Sequence, residues 1–532
     1  MAAERPQRAA RLPEQYHEPL RDLVLALTLG ALWLIRIWAQ LLTYSKVDTY
    51  VMREPPTSDY LYGAVINVLL LGGVFWGLIT FARRKLTASQ YRFAQFCFLV
   101  SLIVPVNGAR ALLATQFDYL RSPLFEIIPM RYVEVLSLLL SALAIAAVLR
   151  WLRFFKHIAS RVLLILSPFV LLTCGQALWR ATHNSDAAFR NSPLAPPLST
   201  AGHQVRAIWM IADEWDYRLS FVNRPPAVHL PEIDRLRKEA FFASNAYSPA
   251  NQTIISVPSL IVGRRVRRSQ AMGTSHLQLW FWDDPNPVSF TAVPNFFERL
   301  RQEGMNTALV GWYLPYCRSF SSDLTSCEWW PQPIQSNSYG DTLAEVVPSQ
   351  IRSLVETNVL SAFGQALAAR HAGQIYSQWL ERAKADVAQA NFDFVYIHAP
   401  VPHSPFAYDA AAGTFTRGNS LTKGYLDNLV LLDRTIGALR AELERSGLWD
   451  RTALLISSDH HYRESQALDG KTSPLIPFVL KMPHQTATFP YERAFNTVLT
   501  GDLLLDLMRG KVSTPEQAAR WITARQAGAD PR

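Results

Sequence analysis

Two hydrophobic runs in this chain end abruptly in metal-ligating residue types. Ala207-Ile208-Trp209-Met210-Ile211-Ala212 runs straight into Asp213-Glu214, and Ala453-Leu454-Leu455-Ile456 is followed by Ser457-Ser458-Asp459-His460. Carboxylates and an imidazole are hard and borderline ligands. Delivered from the ends of two strands, they point to a metal site at the carboxyl edge of an α/β sheet. A hydroxyl is available as well. Thr253 sits in the polar turn Asn251-Gln252-Thr253, just before the apolar stretch Ile254-Ile255-Ser256-Val257-Pro258. At a helix N-terminus a hydroxyl lies in a field that favours anions. Beside a cation it loses its proton more readily and becomes a nucleophile. The fourth feature is His398-Ala399-Pro400-Val401-Pro402-His403-Ser404-Pro405, directly after the strand-like run 392–397. His398 and His403, in a loop stiffened by proline, can donate to substrate oxygens or take a second cation. Each feature alone also has a plainer reading. Asp-His pairs occur in surface turns, Thr253 fits an N-cap, and loop histidines are commonly solvated.

The elements that must position these residues divide sharply along the chain. Of 532 residues, 49% are hydrophobic and 18% charged, but the first third is far more apolar than the rest. Five apolar segments, near 22–45, 60–82, 92–114, 130–149 and 160–180, have the length a bilayer requires, about 17–25 residues each. The first holds Arg36 and Gln40 and lacks a small-residue cleavage site, so it is not a removable leader. Basic residues concentrate in the N-terminal tail, at Arg83-Arg84-Lys85 and from Arg150 to Arg161, while the alternate loops carry few. The N-terminus is therefore cytoplasmic, and five spans place everything after about residue 181 on the far side.

The net charge of +9 does not imply a nucleic-acid partner, because many of the basic residues flank apolar segments. Arg264-Arg265-Val266-Arg267-Arg268 is the one compact basic run; it reads as a solvated face or loop, or as a contact for anionic lipid or phosphate. Cys97 and Cys174 fall within spans. Cys317 and Cys327, the pair in the soluble part, are ten residues apart and can close a loop disulfide in an oxidising compartment or remain free thiols.

The division is thus a membrane domain over 1–181, a Pro/Ser/Ala-rich linker over 182–202 and a soluble domain over 203–532. In the last, strands at 206–212, 307–310, 392–397, 453–456 and 477–481 alternate with helices at 231–242, 294–303, 374–388 and 422–446. The long helix shows apolar residues at helical spacing from Leu426 to Leu443. Thr514-Pro515-Glu516-Gln517 supplies an N-cap, a first-turn proline and a capping-box Gln for a final helix. Such alternation predicts a mostly parallel sheet with helices on both faces.

In order, these motifs resemble the alkaline phosphatase/sulfatase superfamily: strand with acidic pair, nucleophile turn, strand with His loop, long helix, strand with Ser-Asp-His, then Lys471. The resemblance covers roughly 205–510 and includes Gly424-Tyr425-Leu426-Asp427, Leu432-Asp433-Arg434-Thr435-Ile436-Gly437 and Gly447-Leu448-Trp449-Asp450. Sulfatases carry a Cys or Ser that becomes formylglycine, followed by Pro and Arg; that signature is absent at Thr253. Thr253-Ile254-Ile255-Ser256-Val257-Pro258 is instead similar to the Thr-x-x-Ser-Val-Pro turn of membrane phosphoethanolamine transferases, and His398 with His403 to their His-x-x-x-x-His-x-Pro loop. The five spans match as well.

The resemblance implies an inner-membrane enzyme with a periplasmic catalytic domain. It implies one or two divalent ions, zinc or manganese, held by Glu214, Thr253, Asp459 and His460, with Asp213 as alternative or additional acidic ligand. Thr253 would be the nucleophile, His398 and His403 would act on substrate oxygens, and Lys471 would touch the phosphate. The implied partners are a phospholipid donor and an envelope lipid or glycan acceptor. The chain departs from these transferases in having one ectodomain cysteine pair, in having His461 where Gly follows the Asp-His pair, and in lacking a further histidine from Tyr462 to Thr472. Phosphoglycerol transfer, as in lipoteichoic acid synthase, simple phosphodiester or phosphomonoester hydrolysis, and a non-catalytic envelope scaffold are the alternatives.

Overall fold

Strand Arg206–Ala212 (β1) is buried at every residue, as expected of a central strand with helices on both faces. Around it in chain order lie Phe241–Tyr247 (β2), Thr307–Trp312 (β3), Ser326–Trp330 (β4), Phe394–Ala399 (β5), Thr452–Ser458 (β6), Leu475–Lys481 (β7), Phe489–Tyr491 (β8) and Phe495–Asn496 (β9). This computed structural model describes residues 17–42, 45–116, 146–183, 186–199, 205–332, 339–340, 342–358, 361–416, 421–527 and 530–531. The sheet runs β8-β2-β7-β6-β1-β5-β3-β4, with β9 beside β2. It is mostly parallel; only β7 runs against its neighbours, β6 and β2.

Register does the positioning. Ala212 pairs with Ser458 across β1 and β6, so Asp213 and Asp459 leave the sheet side by side. On the other flank Ile211 pairs with His398 of β5. Alternation along the strands then builds two cores. Trp209, Ile211, Tyr396 and Leu455 pack with helices Thr253–Val262, Phe296–Gln302 and Thr500–Met508. Ile208, Met210, Ile397 and Ile456 pack on the other side with helices Ser361–Val387 and Leu421–Arg445.

Several elements differ from the sequence reading. The helix predicted over 231–242 stops at Lys238, and Phe241–Tyr247 is strand, with Phe241, Phe242 and Ala243 buried. The strand predicted over 392–397 runs on to Ala399, which takes His398 out of the loop and into the sheet. The basic run holds an edge strand, Val266–Ala271, of a separate three-stranded antiparallel sheet with Leu277–Phe281 and Val288–Ser289. Cys317 and Cys327 are joined in a disulfide, Cα to Cα 5.6 Å, that ties the turn Tyr316–Ser319 to β4.

The N-terminal part contains three helices long and apolar enough to cross a membrane, Ser58–Lys85, Ala88–Arg110 and Leu152–His183. A bent pair, Pro19–Trp33 and Ile35–Leu42 at 62°, counts as a fourth if it forms one span. At the bend the Ala31 carbonyl accepts the Leu34 N–H and the Trp38 indole N–H, each at 3.2 Å, so the break leaves it satisfied. These match the expected segments at 22–45, 60–82, 92–114 and 160–180; the one at 130–149 lies, but for its last residues, outside the described residues.

Two segments cross the linear division into membrane and soluble parts. The chain forms one compact unit of 1–44, 56–184 and 337–364 and another of 45–55, 185–336 and 365–532. In the first, helix Leu343–Asn358 seats Gln350 against Asn67: Asn67 Nδ2 donates to Gln350 Oε1 (3.0 Å), and Gln350 Nε2 to the Tyr60 carbonyl (2.9 Å). In the second, the short helix Lys46–Val51, capped reciprocally by Ser45 and Asp48, buries Tyr50 and Val51 in the α/β core. We refer to Ser45–Pro55 as the strap. Its carbonyls at Tyr50 and Met52 accept Arg318 Nη2 (2.5 Å) and Nη1 (2.7 Å), and Arg318 is only 7% exposed. Substituting Arg318→Ala removes these charge-assisted bonds and leaves buried carbonyls unpaired, at a cost of about 2–3 kcal/mol. Trypsin should then cut at Lys46 and Arg53 faster in the variant than in the wild-type full-length chain, measured by mass spectrometry of the released fragments; equal cleavage rates would refute the anchoring role.

Candidate active site

The corner where β1 and β6 end is built by backbone geometry. Glu214 takes a left-handed conformation, φ 65°, which costs energy for a side chain with a Cβ. Neighbours hold it there. The Glu214 N–H donates to Asp459 Oδ1 (3.2 Å), and the Tyr425 hydroxyl, from helix Leu421–Arg445, donates to the Glu214 carbonyl (2.9 Å). One residue on, the Trp215 N–H donates to Ser458 Oγ (2.9 Å). This turn sends successive side chains in different directions. Asp213 enters the corner, whereas Glu214 Oε1 accepts Nε and Nη2 of Arg463 at 3.0 and 2.8 Å.

The side chains brought together are Asp213, Asp459 and His460, whose ligand atoms all lie within 4.8 Å of one another. His460 Nε2 is 3.4 Å from Asp459 Oδ2, 4.0 Å from Asp213 Oδ1 and 3.3 Å from Thr253 Oγ1. Its other nitrogen, Nδ1, is 2.9 Å from the His461 carbonyl. A carbonyl only accepts, so the ring proton sits on Nδ1 and the Nε2 lone pair faces the carboxylates. Thr253 is the first residue of helix Thr253–Val262. The helix is tied to the corner one turn on, where Ser256 Oγ donates to the Asp459 carbonyl (2.6 Å).

These residues fit a divalent cation. Both oxygens of Asp213 and Oδ2 of Asp459 are buried with no hydrogen-bond partner, a costly arrangement for bare carboxylates. Burial first, and the Asp459 charge second, push the Asp213 carboxyl well above its usual range. Burial also pushes Asp459 up, but its attraction for His460 and His398 in their protonated forms, with the hydrogen bond from the Glu214 N–H, outweighs it and holds that carboxyl low. Four donors around an ion at 2.0–2.1 Å stand about 3.3 Å apart in tetrahedral geometry, close to the spacing of Thr253, His460 and Asp459. Asp213, Asp459, His460 and the Thr253 hydroxyl are therefore the residues that would hold an ion. One imidazole among oxygens suits zinc and manganese alike.

The other sequence-predicted residues fall differently. Glu214 is not in the cluster, because its carboxylate is engaged by Arg463. Lys471 is exposed; its carbonyl, not its amine, joins the local network by accepting Arg218 Nη2 at 3.0 Å. The cation at this corner is Arg463, half-buried and electrostatically coupled to Asp213 and Asp459. Its pairing with Glu214, 249 residues away, has no local sequence signal. His398 is fully buried in β5, its Nδ1 2.8 Å from the Tyr316 hydroxyl and its Nε2 without a partner. Burial lowers its pKa to about 4, so it is uncharged at neutral pH. His403 is half-buried, with Nδ1 2.6 Å from the Ser404 carbonyl. Sequence reasoning missed Ser256 and Tyr425 as positioning residues. Ser256 was findable from its spacing, since three residues after Thr253 puts it on the same helix face.

The geometry separates the two acidic neighbours experimentally. Asp213→Asn and His460→Ala should lose bound zinc or manganese by elemental mass spectrometry of the purified protein, while Glu214→Gln keeps the wild-type stoichiometry. Removing one of two crowded buried carboxylates should also raise the apparent Tm of the chelator-treated protein for Asp213→Asn, by about 2–5 °C. An unchanged or lower Tm would contradict the electrostatic account of the corner.

The sulfatase family matches residues 207–504, from β1 through to helix Thr500–Met508, which is more than half of the chain. No curated protein matches in sequence. Among solved structures the chain is similar to the PsFucS1 sulfatase from Pseudoalteromonas sp., at 16% identity and TM-score 0.41, over 61% of this chain and 75% of that one. It is similar also to the phosphonate monoester hydrolase of Agrobacterium radiobacter, at 14% identity and TM-score 0.37, over 57% and 74%. A protein in the alkaline phosphatase superfamily from Vibrio parahaemolyticus stands at 13% identity and TM-score 0.38, over 61% and 71%. The family match takes in both ligand-bearing strands and the Thr253 helix, and by it the chain belongs to the sulfatase family, within the alkaline phosphatase/sulfatase superfamily.

Proposed function

We propose that this protein is a metal-dependent transferase that moves a phospholipid head group, phosphoethanolamine foremost, onto an envelope lipid or glycan through a phospho-Thr253 intermediate. The observation that carries the reading is the Thr253 hydroxyl, 3.3 Å from His460 Nε2 at the buried carboxylate corner. A hydroxyl at the first turn of a helix, facing a would-be cation site, is an alkoxide nucleophile for phosphorus. When bound, a divalent ion there supplies Lewis-acid stabilisation of the hydroxyl's conjugate base and of charge on the phosphate.

In the first step a bond forms from Thr253 Oγ1 to the phosphorus and the bond to the diacylglycerol oxygen breaks. The proton lost by Thr253 is balanced by the one gained on diacylglycerol. In the second step an acceptor hydroxyl or phosphate attacks the same phosphorus, and Thr253 leaves and regains its proton. Asp213, Asp459 and His460 hold the corner rigid. His398, uncharged, orients a substrate oxygen without carrying positive charge. His403 keeps Nε2 for proton transfer, since Nδ1 is engaged by the Ser404 carbonyl. Arg463, in place of Lys471, supplies the positive charge for the phosphate oxygens. The apolar N-terminal helices support a lipid donor, because an enzyme tethered at the bilayer meets head groups at high effective concentration. On this reading those helices lie in the inner membrane and the α/β unit faces the periplasm.

The test is direct. Full-length wild type incubated with phosphatidylethanolamine should release diacylglycerol and gain a phosphoethanolamine adduct on Thr253, both read by mass spectrometry. In Thr253→Ala the adduct should vanish and head-group release fall by at least about 10³-fold. Undiminished release would remove Thr253 from the mechanism, and release at equal rate with and without any acceptor would make the protein a hydrolase.

A further inference from the structure

The basic run Arg264-Arg265-Val266-Arg267-Arg268 has no part in the site above, and the structure gives it a distinctive setting. It opens the hairpin formed by strands Val266–Ala271 and Leu277–Phe281. Val266, Ala271, Leu277, Leu279 and Phe281 are buried in the α/β core, so one face of this small sheet is spent inward. The other face is basic and aromatic. Arg268 lies over the Trp280 ring at 4.9 Å, and Trp282, two residues on along the same strand direction, is 65% exposed. The register slips between Val266 and Arg268, which lets both Arg267 and Arg268 reach solvent where a regular strand would turn one of them inward. Acidic neighbours neutralise this face only in part. Asp283 is taken by Arg264, which itself covers Phe281 at 4.1 Å, and Asp284 caps its own turn by accepting the Asn286 N–H at 2.9 Å.

The location of this face follows from chain connectivity. Its first strand packs against the strap helix Lys46–Val51, and Tyr50 and Val51 share the core with Val266 and Ala271. That helix is tethered on both sides by apolar helices, one ending at Leu42 and the next starting at Ser58. Fully extended, four residues reach about 14 Å and seven about 25 Å. On the reading that those helices span, the strap on which this hairpin packs is joined to a bilayer by short chain on both sides. Among the described residues of this unit the large apolar side chains left exposed are Val47, Leu194, Val222, Met272 and Trp282, and three of them sit on the strap or the hairpin.

We propose that the hairpin face bearing Arg267, Arg268, Trp280 and Trp282 binds the surface of an anionic phospholipid bilayer. Exposed arginines supply the attraction to anionic head groups, and tryptophan is the side chain that settles at the head-group level with its ring in the acyl boundary and its N–H in the wet layer. The surface would hold the α/β unit at the membrane independently of the reaction at Thr253, so the two readings stand or fall separately.

The experiment uses the full-length protein reconstituted into nanodiscs, with Trp282→Phe as a substitution at an exposed position that spares the fold. The emission lost from wild type to Trp282→Phe reports Trp282 alone. In nanodiscs of phosphatidylglycerol brominated near the head group that emission should be quenched and blue-shifted relative to unbrominated lipid. Quenching should be weaker in brominated phosphatidylcholine and should disappear from phosphatidylglycerol when Arg267→Glu and Arg268→Glu are combined. Trp282 emission that is indifferent to bromination would overturn the proposal, as a solvated face or one covered by another protein would give. Equal quenching in both lipids would overturn its anionic character.

Discussion

The structure depends on forcing two carboxylates together where water cannot reach them. Asp213 and Asp459 leave adjacent parallel strands at paired positions, and both are essentially inaccessible. Their ligand atoms lie within 4.8 Å of each other, and two ionised carboxylates at that range or closer repel, at an effective dielectric of about 20, by at least roughly 3.5 kcal/mol, a sizeable fraction of the 5–15 kcal/mol that typically separates folded from unfolded chains. The α/β unit tolerates this because much else clamps the corner. Ser458 braces the Trp215 N–H, Tyr425 braces the strained Glu214 turn, and Ser256 fastens the Thr253 helix to the Asp459 carbonyl. Strain that the surroundings over-determine is the condition for a preorganised site. A divalent ion held by Asp213, Asp459 and His460 would turn the same repulsion into coordination.

What was legible in the sequence was what local pattern encodes. Strands β1 and β6 are short apolar runs ending in ligands, and their parallel pairing follows from strand–helix alternation. The Thr253 turn was readable because a polar turn stands before an apolar helix. What was not legible depended on backbone torsion or on partners far along the chain. Preferring Asp213 to Glu214 required knowing that residue 214 would adopt φ 65° and turn its side chain toward Arg463. Arg463 was not singled out in the sequence, because its pairing with Glu214 depends on a partner far along the chain. His398 read as a loop residue because prolines crowd behind it, yet the sheet extends through Ala399. Strand β2 was hidden because Ser244 and Asn245 make Phe241–Tyr247 look like the tail of a helix followed by a polar turn, although three of its first residues are buried.

The linear division at residues 181 and 203 was a reading of hydropathy, which sees composition and not contact. Tyr50 and Val51 are ordinary apolar residues in a short loop between two apolar helices, and nothing local says that they belong to the core of a sheet built from residues after 205. Likewise Gln350 is an unremarkable polar residue until Asn67 is placed opposite it. Exchanges of this kind are visible only as burial.

The strap lies between two apolar helices in sequence but belongs to the α/β unit. Both Arg318 Nη atoms donate to carbonyls of the strap, and the turn that carries Arg318 also carries Tyr316, whose hydroxyl holds His398 Nδ1, and Cys317, bonded to β4. His398 in turn is coupled electrostatically to Asp459 at the ligand corner. A continuous set of buried interactions thus runs from the strap to the Asp459 corner. Removing the loop would leave a charged group buried without acceptors two residues from Tyr316, a larger perturbation than the loss of a tether. The strap is therefore part of the architecture that positions His398, and it acts there through ordinary hydrogen bonds.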